Sequence, residues 1–449
     1  MNTKKLKVAA ACITVIGLLS ACGSASGGAK DVGSSSKAGN TSSASTPKSL
    51  VDEKVDLVIY CEGGTSADNF NTTYGNALKT KFPNWTITYI PRSTNDSLDK
   101  MITSGSQIDI VLDSIGYFPD GVLKAALQSD MTELIKKYNV DMNRFEPSLI
   151  DGIKLFSKKG EIYGLPVANT GLVLYYNKDI FDKFGVTYPK DGMTWNEAID
   201  LGKKLTRQEN GTQYLGLAAS QGHIMKLNPF SLPSVDPETN KSTINSPKYS
   251  SKWQAIYQTV YKATTEAPGY ADFIKSNKDK VPFSDEFGKS KNVAMFGFLS
   301  GQYWTDMNWD EVSIPTFKDL PGIGAQSYPT YAAITSISKH REEAMQLLQY
   351  LVSDEFQMQL SKTGGMTSLK SEDIKKVIGQ QSPYPGKNYA AAYYNKFAPI
   401  SQKSKYDTTA ESGYRKHITD YIYGTMDLNT LFRTAQEDAD KALERAIAK

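Results

Sequence analysis

The chain has 449 residues, a formal net charge of +3, 26 tyrosines and three cysteines. Lys4, Lys5 and Lys7 carry that whole excess, so residues 22–449 are formally neutral and nothing points to nucleic acid or an acidic partner. Cys12 and Cys22 lie near the N-terminus, which leaves Cys61 alone in the body, so no internal disulfide can brace the fold.

In chain order, the three lysines precede a mostly apolar run from Val8 to Leu19. That run is too short to span a bilayer, which predicts a cleaved signal over residues 1–21. Leu19-Ser20-Ala21-Cys22 resembles the bacterial lipobox. The resemblance implies that Cys22 is lipidated and anchors the chain at the extracytoplasmic face of a bacterial cell membrane. Residues 22–51 are rich in Gly, Ser, Ala and Thr and predict a flexible tether, reaching roughly 25–30 Å. About 400 residues remain, a length that suits two lobes better than one core.

The folded part predicts strands at Val55 to Tyr60, Trp85 to Ile90 and Ile108 to Leu112. Helices are expected at Ala67 to Lys81 and Asn95 to Ser104. Such alternation argues for parallel β-α units, whose ligands sit beyond the carboxyl ends of the strands. Position alone therefore singles out the loops Glu62 to Ser66 and Asp113 to Phe118. Further on come an apolar strand from Leu165 to Tyr176, a helix from Lys178, and a helix whose Thr194 and Glu197 have capping-box spacing. Leu215 to Phe287 reads as helical and aromatic. Strands are predicted at Lys291 to Phe298, Val312 to Phe317 and Ala332 to Ser336, and helices at Glu342 to Val352 and Leu428 to Ala448.

Several spaced elements resemble family 1 extracellular solute-binding proteins, the ligand receptors of ABC sugar importers. They are Gly164-Leu165-Pro166, Tyr176-Asn177-Lys178, Thr194-Trp195 with Glu197, the strand at Lys291 to Phe298, and Gly364-Gly365-Met366. Thr367 stands where that family usually has a proline. The resemblance implies an α/β fold of the type II periplasmic-binding-protein kind, two lobes around a central cleft. The expected lobes are 52–165 with 316–370, and 166–315 with 371–449. It also implies a monomeric receptor that hands a carbohydrate, an oligosaccharide for preference, to the transmembrane subunits of an ABC permease.

Sugar faces pack on aromatic rings while ring hydroxyls need paired donors and acceptors. Loop aromatics are therefore candidates: Tyr117, Phe118, Tyr303, Trp304, Tyr328 and Tyr331, with Tyr393, Tyr394 and Phe397 as a further platform. The expected ligand-binding set is Glu62, Gly63, Gly64, Thr65, Ser114, Tyr117, Asn169, Thr170, Tyr303, Trp304 and Tyr331. Trp304 offers the largest stacking face.

No catalytic residue, metal or cofactor is predicted. The histidines at 223, 340 and 417 have no paired spacing, and the sequence has no G-x-S-x-G elbow, P-loop or dinucleotide fingerprint. Two alternatives stay open. A receptor for a charged solute (a polyamine, phosphate ester or iron chelate) should cluster like charge in the named loops, whereas the charges near them, Glu62 and Arg92, are opposite in sign. A surface glycan-degrading enzyme would need only two suitably spaced carboxylates.

Overall fold

The computed structural model describes residues 49–448. The predicted signal, Cys22 and nearly all of the tether lie outside the described residues. Two five-stranded sheets organise the chain. The first is built from β1 (Val55–Cys61), β2 (Trp85–Pro91), β3 (Ile110–Ser114), β4 (Leu165–Ala168) and, far along the chain, β11 (Thr330–Ile334). Its order is β2-β1-β3-β11-β4. β1 runs parallel to both β2 and β3, and β11 is antiparallel to β3 and β4. The second sheet takes β5 (Leu172–Asn177), β6 (Arg207–Glu209), β7 (Thr212–Ala219), β8 (Val293–Leu299) and β9 (Trp309–Ser313) in the order β6-β7-β8-β5-β9. β10 (Ile323–Gln326) and β12 (Lys396–Ala398) form a separate parallel pair. The fold is two-lobed α/β, with mixed sheets rather than purely parallel β-α units.

Two boundaries differ from expectation in ways that matter for the site. The apolar run from Leu165 to Tyr176 is two strands, β4 and β5, which serve different sheets. Asn169, Thr170 and Gly171 break the run and carry the chain between the sheets. The helix expected at Ala67 to Lys81 contains a π-helical turn, Asn71–Gly75, between α-helical segments Ala67–Phe70 and Asn76–Lys81. Such a bulge re-aims side chains within one helix.

Local signals elsewhere hold. The helix Trp195–Leu205 has its reciprocal cap: the Thr194 N–H donates to Glu197 Oε2 at 2.7 Å and the Glu197 N–H donates to Thr194 Oγ1 at 3.4 Å. Thr367 is buried, with its hydroxyl donating to Gln357 Oε1 (2.7 Å) and accepting the Leu369 N–H (3.0 Å). The Gln357 amide nitrogen in turn donates to the carbonyls of Val167 and Leu351, both at 2.7 Å. This saturated network fixes the turn without the ring of a proline.

Candidate functional site

A cavity of about 690 Å³ opens where the carboxyl ends of β1 and β3 face the loop after β8. That is where strand order reverses in the first sheet, the expected place for a ligand crevice. Asp113, at the end of β3, is only 2% exposed. Its carboxylate accepts the N–H groups of Gly63 (2.8 Å) and Glu62 (3.1 Å) and the thiol of Cys61 (3.3 Å), which ties the loop after β1 to β3. Burial pushes this carboxyl up to about 7, against the opposing pull of the two N–H donors. Position 63 is tight, because a Cβ there would lie 3.2 Å from both Asp113 Oδ1 and the Tyr117 ring, each of which would have to shift by a few tenths of an ångström. Gly64 turns through φ +70°, in the left-handed region.

Aromatic rings wall the cavity on several sides. Phe70 and Tyr89 stack at 3.9 Å with 3° between planes, and the Tyr89 hydroxyl donates to the Thr65 carbonyl at 2.7 Å. Tyr74, Tyr117, Tyr328 and Tyr303 complete the walls. Between them stand Asn69, Thr72, Thr73, Ser114, Asn169, Thr170 and Gln302, and neither lysine nor arginine is among the lining residues. His223 also lines the cavity. Burial, reinforced by Lys226 and Arg415, lowers it to about 4, so the ring is neutral near pH 7, with Nδ1 2.7 Å from Ser220 Oγ.

The strand crossover forms the cavity floor. The Asn169 N–H donates to the Met366 carbonyl, the Thr170 carbonyl accepts the Tyr328 N–H, and the Gly171 carbonyl accepts the Ser300 N–H, each at 2.9 Å. Asn169 Oδ1 is buried without a protein partner. The loop after β8 is held from beneath by Tyr175, whose hydroxyl donates to the Leu299 carbonyl (2.9 Å) and accepts the Gln302 N–H (3.0 Å). Tyr303 projects from that loop, 36% exposed, and its hydroxyl donates to the Thr363 carbonyl on the far side of the cavity. This arrangement offers stacking faces and mostly neutral hydrogen-bonding groups, with the buried Asp113 as the one lining carboxyl, around an open cleft.

Residues 64–358 match the family described as bacterial extracellular solute-binding protein. The chain belongs to that family. Among curated relatives, an arabinooligosaccharide-binding protein of Bacillus subtilis is 27% identical over 124 residues, 27% of each chain. A mannitol-binding protein of Pseudomonas aeruginosa is 29% identical over 121 residues, 27% of this chain and 26% of that one. The matched segment therefore spans about a quarter of the length of these relatives. Solved structures extend the likeness of fold over nearly the whole body. An ABC substrate-binding protein of Listeria monocytogenes in complex with cycloalternan aligns at TM-score 0.64 and 16% identity, covering 88% of this chain and all of that one. A sugar transporter protein of Rhizobium etli in an open conformation aligns at 0.63 and 19%, covering 87% and 99%. A protein designated CpMnBP1, with mannotriose bound, aligns at 0.66 and 20%, covering 86% and 100%.

In this solute-binding protein Gly63, Thr65, Ser114, Tyr117, Asn169, Thr170 and Tyr303 all reach the one cavity. Glu62 and Gly64 do not; they line a neighbouring chamber with Arg92. Trp304 and Tyr331 are corrections. Trp304 turns inward, edge-on to Phe287 (4.9 Å), Tyr175 (5.6 Å) and Phe296 (6.1 Å). Tyr331 is fully buried and its hydroxyl donates to the Leu149 carbonyl at 2.6 Å. Its neighbour on β11, Thr330, lines the cavity, and side chains on a strand alternate in face. Phe118 stacks on Phe156 in the core. Tyr393 is spent on the Thr367 N–H, and neither it, Tyr394 nor Phe397 lines the cavity.

Sequence reasoning did not assign Asn69, Phe70, Thr72, Thr73, Tyr74, Tyr89 or His223 to the site. The available signal was the helix after the Glu62 loop, whose polar Asn69, Thr72 and Thr73 share a face directed at the same crevice.

Proposed function

We propose that this protein is the substrate-binding lipoprotein of an ABC importer, capturing an oligosaccharide between its lobes and delivering it to a membrane permease. The observation that carries the reading is the cavity itself: stacked and facing aromatic rings interleaved with mostly neutral donors and acceptors, with the buried Asp113 as the one lining carboxyl and no lining lysine or arginine. The oligosaccharides named for the Bacillus subtilis relative and for CpMnBP1 support the same class of ligand. One lobe is built on the first sheet, β1 to β4 with β11, and the other on the second sheet, so the first crossover falls at Asn169–Gly171 and not after Leu165. The ligand contacts are Gly63, Thr65, Ser114, Tyr117, Asn169, Thr170 and Tyr303. The protein acts as a monomer, without a catalytic step, and closes over its sugar by hinge motion at the Asn169–Gly171 crossover.

A thermal-shift screen over two- to four-unit mannose, arabinose and glucose oligosaccharides tests the reading. A ligand at 100 times its Kd adds about 2.7 kcal/mol to the folded state, enough for a clear rise in Tm. A rise with a polyamine or phosphate ester and none with any sugar would overturn the carbohydrate assignment. Sugar turnover during incubation would overturn the non-catalytic one.

The same proposal places Cys22 under a diacylglyceryl group at the extracytoplasmic membrane face. Cys22→Ala is expected to move the protein out of the detergent-extracted membrane fraction, as a secreted or uncleaved species. A mature-length variant that still requires detergent would remove Cys22 as the anchor.

A further inference from the structure

Beside the main cavity lies a second chamber of about 460 Å³, lined by Glu62, Gly63, Gly64, Arg92, Ser93, Thr94, Ser97 and Tyr117. Gly63 and Tyr117 border both spaces, which makes them the residues at the junction. Lys226 steadies the Tyr117 ring, its ammonium 5.1 Å from the ring centroid and 3.6 Å from Glu411. Both volumes fall in the range of about 300–1,000 Å³ usual for small-molecule sites.

The second chamber has a chemistry of its own. Glu62 Oε1 pairs with Arg92 Nη1 at 2.8 Å and Glu62 Oε2 accepts the Tyr60 hydroxyl at 2.8 Å, which leaves the carboxylate fixed and its side chain 12% exposed. Arg92 is 55% exposed, and its planar fork has further N–H donors than the one spent on Glu62. A fixed carboxylate beside a guanidinium offers an acceptor and a donor side by side, the complement of two adjacent hydroxyls on a sugar ring. Because the pair is neutral overall, it does not select for an anionic group.

We propose that this chamber is a further sugar subsite, so that an oligosaccharide runs from the main cavity past Tyr117 onto the Glu62–Arg92 pair and its length is read there. The inference rests on the carbohydrate reading above and deepens it. Tyr117, which borders both chambers, supplies a stacking ring at the junction.

Titration calorimetry on the full-length protein, with two-, three- and four-unit mannose, arabinose and glucose oligosaccharides, tests it. In the parent protein, affinity within the recognised series is expected to rise about tenfold or more from the two-unit to the longest sugar. Arg92→Ala and Glu62→Gln should each collapse that ratio toward one. Melting curves confirm that both variants fold, which the exposure of Arg92 favours. Binding of one series with equal affinity at every length overturns the subsite while leaving the sugar receptor intact, as does an unchanged ratio in Arg92→Ala. No heat with any sugar overturns the receptor reading and the subsite together. A preference for uronate-ended sugars that Arg92→Ala removes overturns the neutral-hydroxyl chemistry.

Discussion

Trp304→Ala is expected to lose about 3 kcal/mol of unfolding free energy, whereas its neighbour Tyr303→Ala is expected to stay folded and to lose sugar affinity. Trp304 packs edge-on against Tyr175, Phe287 and Phe296, and Gly288 is the only residue type its ring tolerates there: a Cβ on that glycine would lie 2.6 Å from the indole. Removing a large ring from such a site costs the transfer energy of its atoms plus a cavity, about 3–5 kcal/mol when fully buried and the lower figure for a partly buried indole. Tyr303 has little such packing. Its ring tilts against Tyr384 at 5.5 Å and otherwise faces the cavity. Its loss removes a stacking face and the hydroxyl that spans to the Thr363 carbonyl. About 1–3 kcal/mol of binding should go with it, with stability changed by less than about 1 kcal/mol. Urea unfolding and calorimetry on the two variants separate these effects. Full stability together with lost affinity in Trp304→Ala would return the indole to the site.

The contrast between these neighbours shows where the sequence stops being informative. Spacing and landmark motifs placed the loop Leu299 to Trp304 at the cleft, but composition does not say which of two adjacent aromatics points outward. The same limit applies to Tyr331, where a shift of one position on β11 exchanges cavity for core. The loops after β1 and β3 were legible because strand ends in such sheets are where ligands sit. Phe70, Tyr74 and Tyr89 were not, since aromatic residues on a helix and a strand read as ordinary core. β7 escaped notice for a related reason. Its residues Leu215 to Ala219 are all buried and show no alternation, so they merge with the helical run that follows. The break at Asn169-Thr170-Gly171 was visible as a polar interruption, yet only the pairing of β4 and β5 with different partners makes it a crossover.

Glu311→Gln is expected to stabilise the protein at alkaline pH and to leave it almost unchanged near pH 4.5. Glu311 lies on β9 opposite Tyr175, 1% exposed, and its Oε2 has no protein hydrogen-bond partner. Burial is the main cause that pushes the carboxyl up to about 8, and the nearby charges of Asp310 and Asp191 push the same way. The sign follows from counting protons. Well below pH 4.5 Glu311 is protonated in both native and unfolded states and contributes no pH dependence. At pH 4.5 the unfolded group is half ionised and the cost is still only about 0.4 kcal/mol. Between there and pH 8 the unfolded chain releases a proton that the native state keeps, so stability falls as pH rises. Above pH 8 the native group ionises too and the loss is complete. At 1.36 kcal/mol per pKa unit the full penalty is on the order of 5 kcal/mol. Glutamine has nearly the same shape and no charge to bury, so the variant escapes this penalty. Asp113 and Asp407, each pushed up to about 7 mainly by burial, slope in the same direction but in both proteins alike. The difference between parent and variant in urea unfolding free energy, measured from pH 4.5 to 8.5, therefore isolates Glu311. It should open steadily across that window and level off above pH 8. Parallel curves would mean that Glu311 ionises in the native state as easily as in water, and that the space around Oε2 is hydrated.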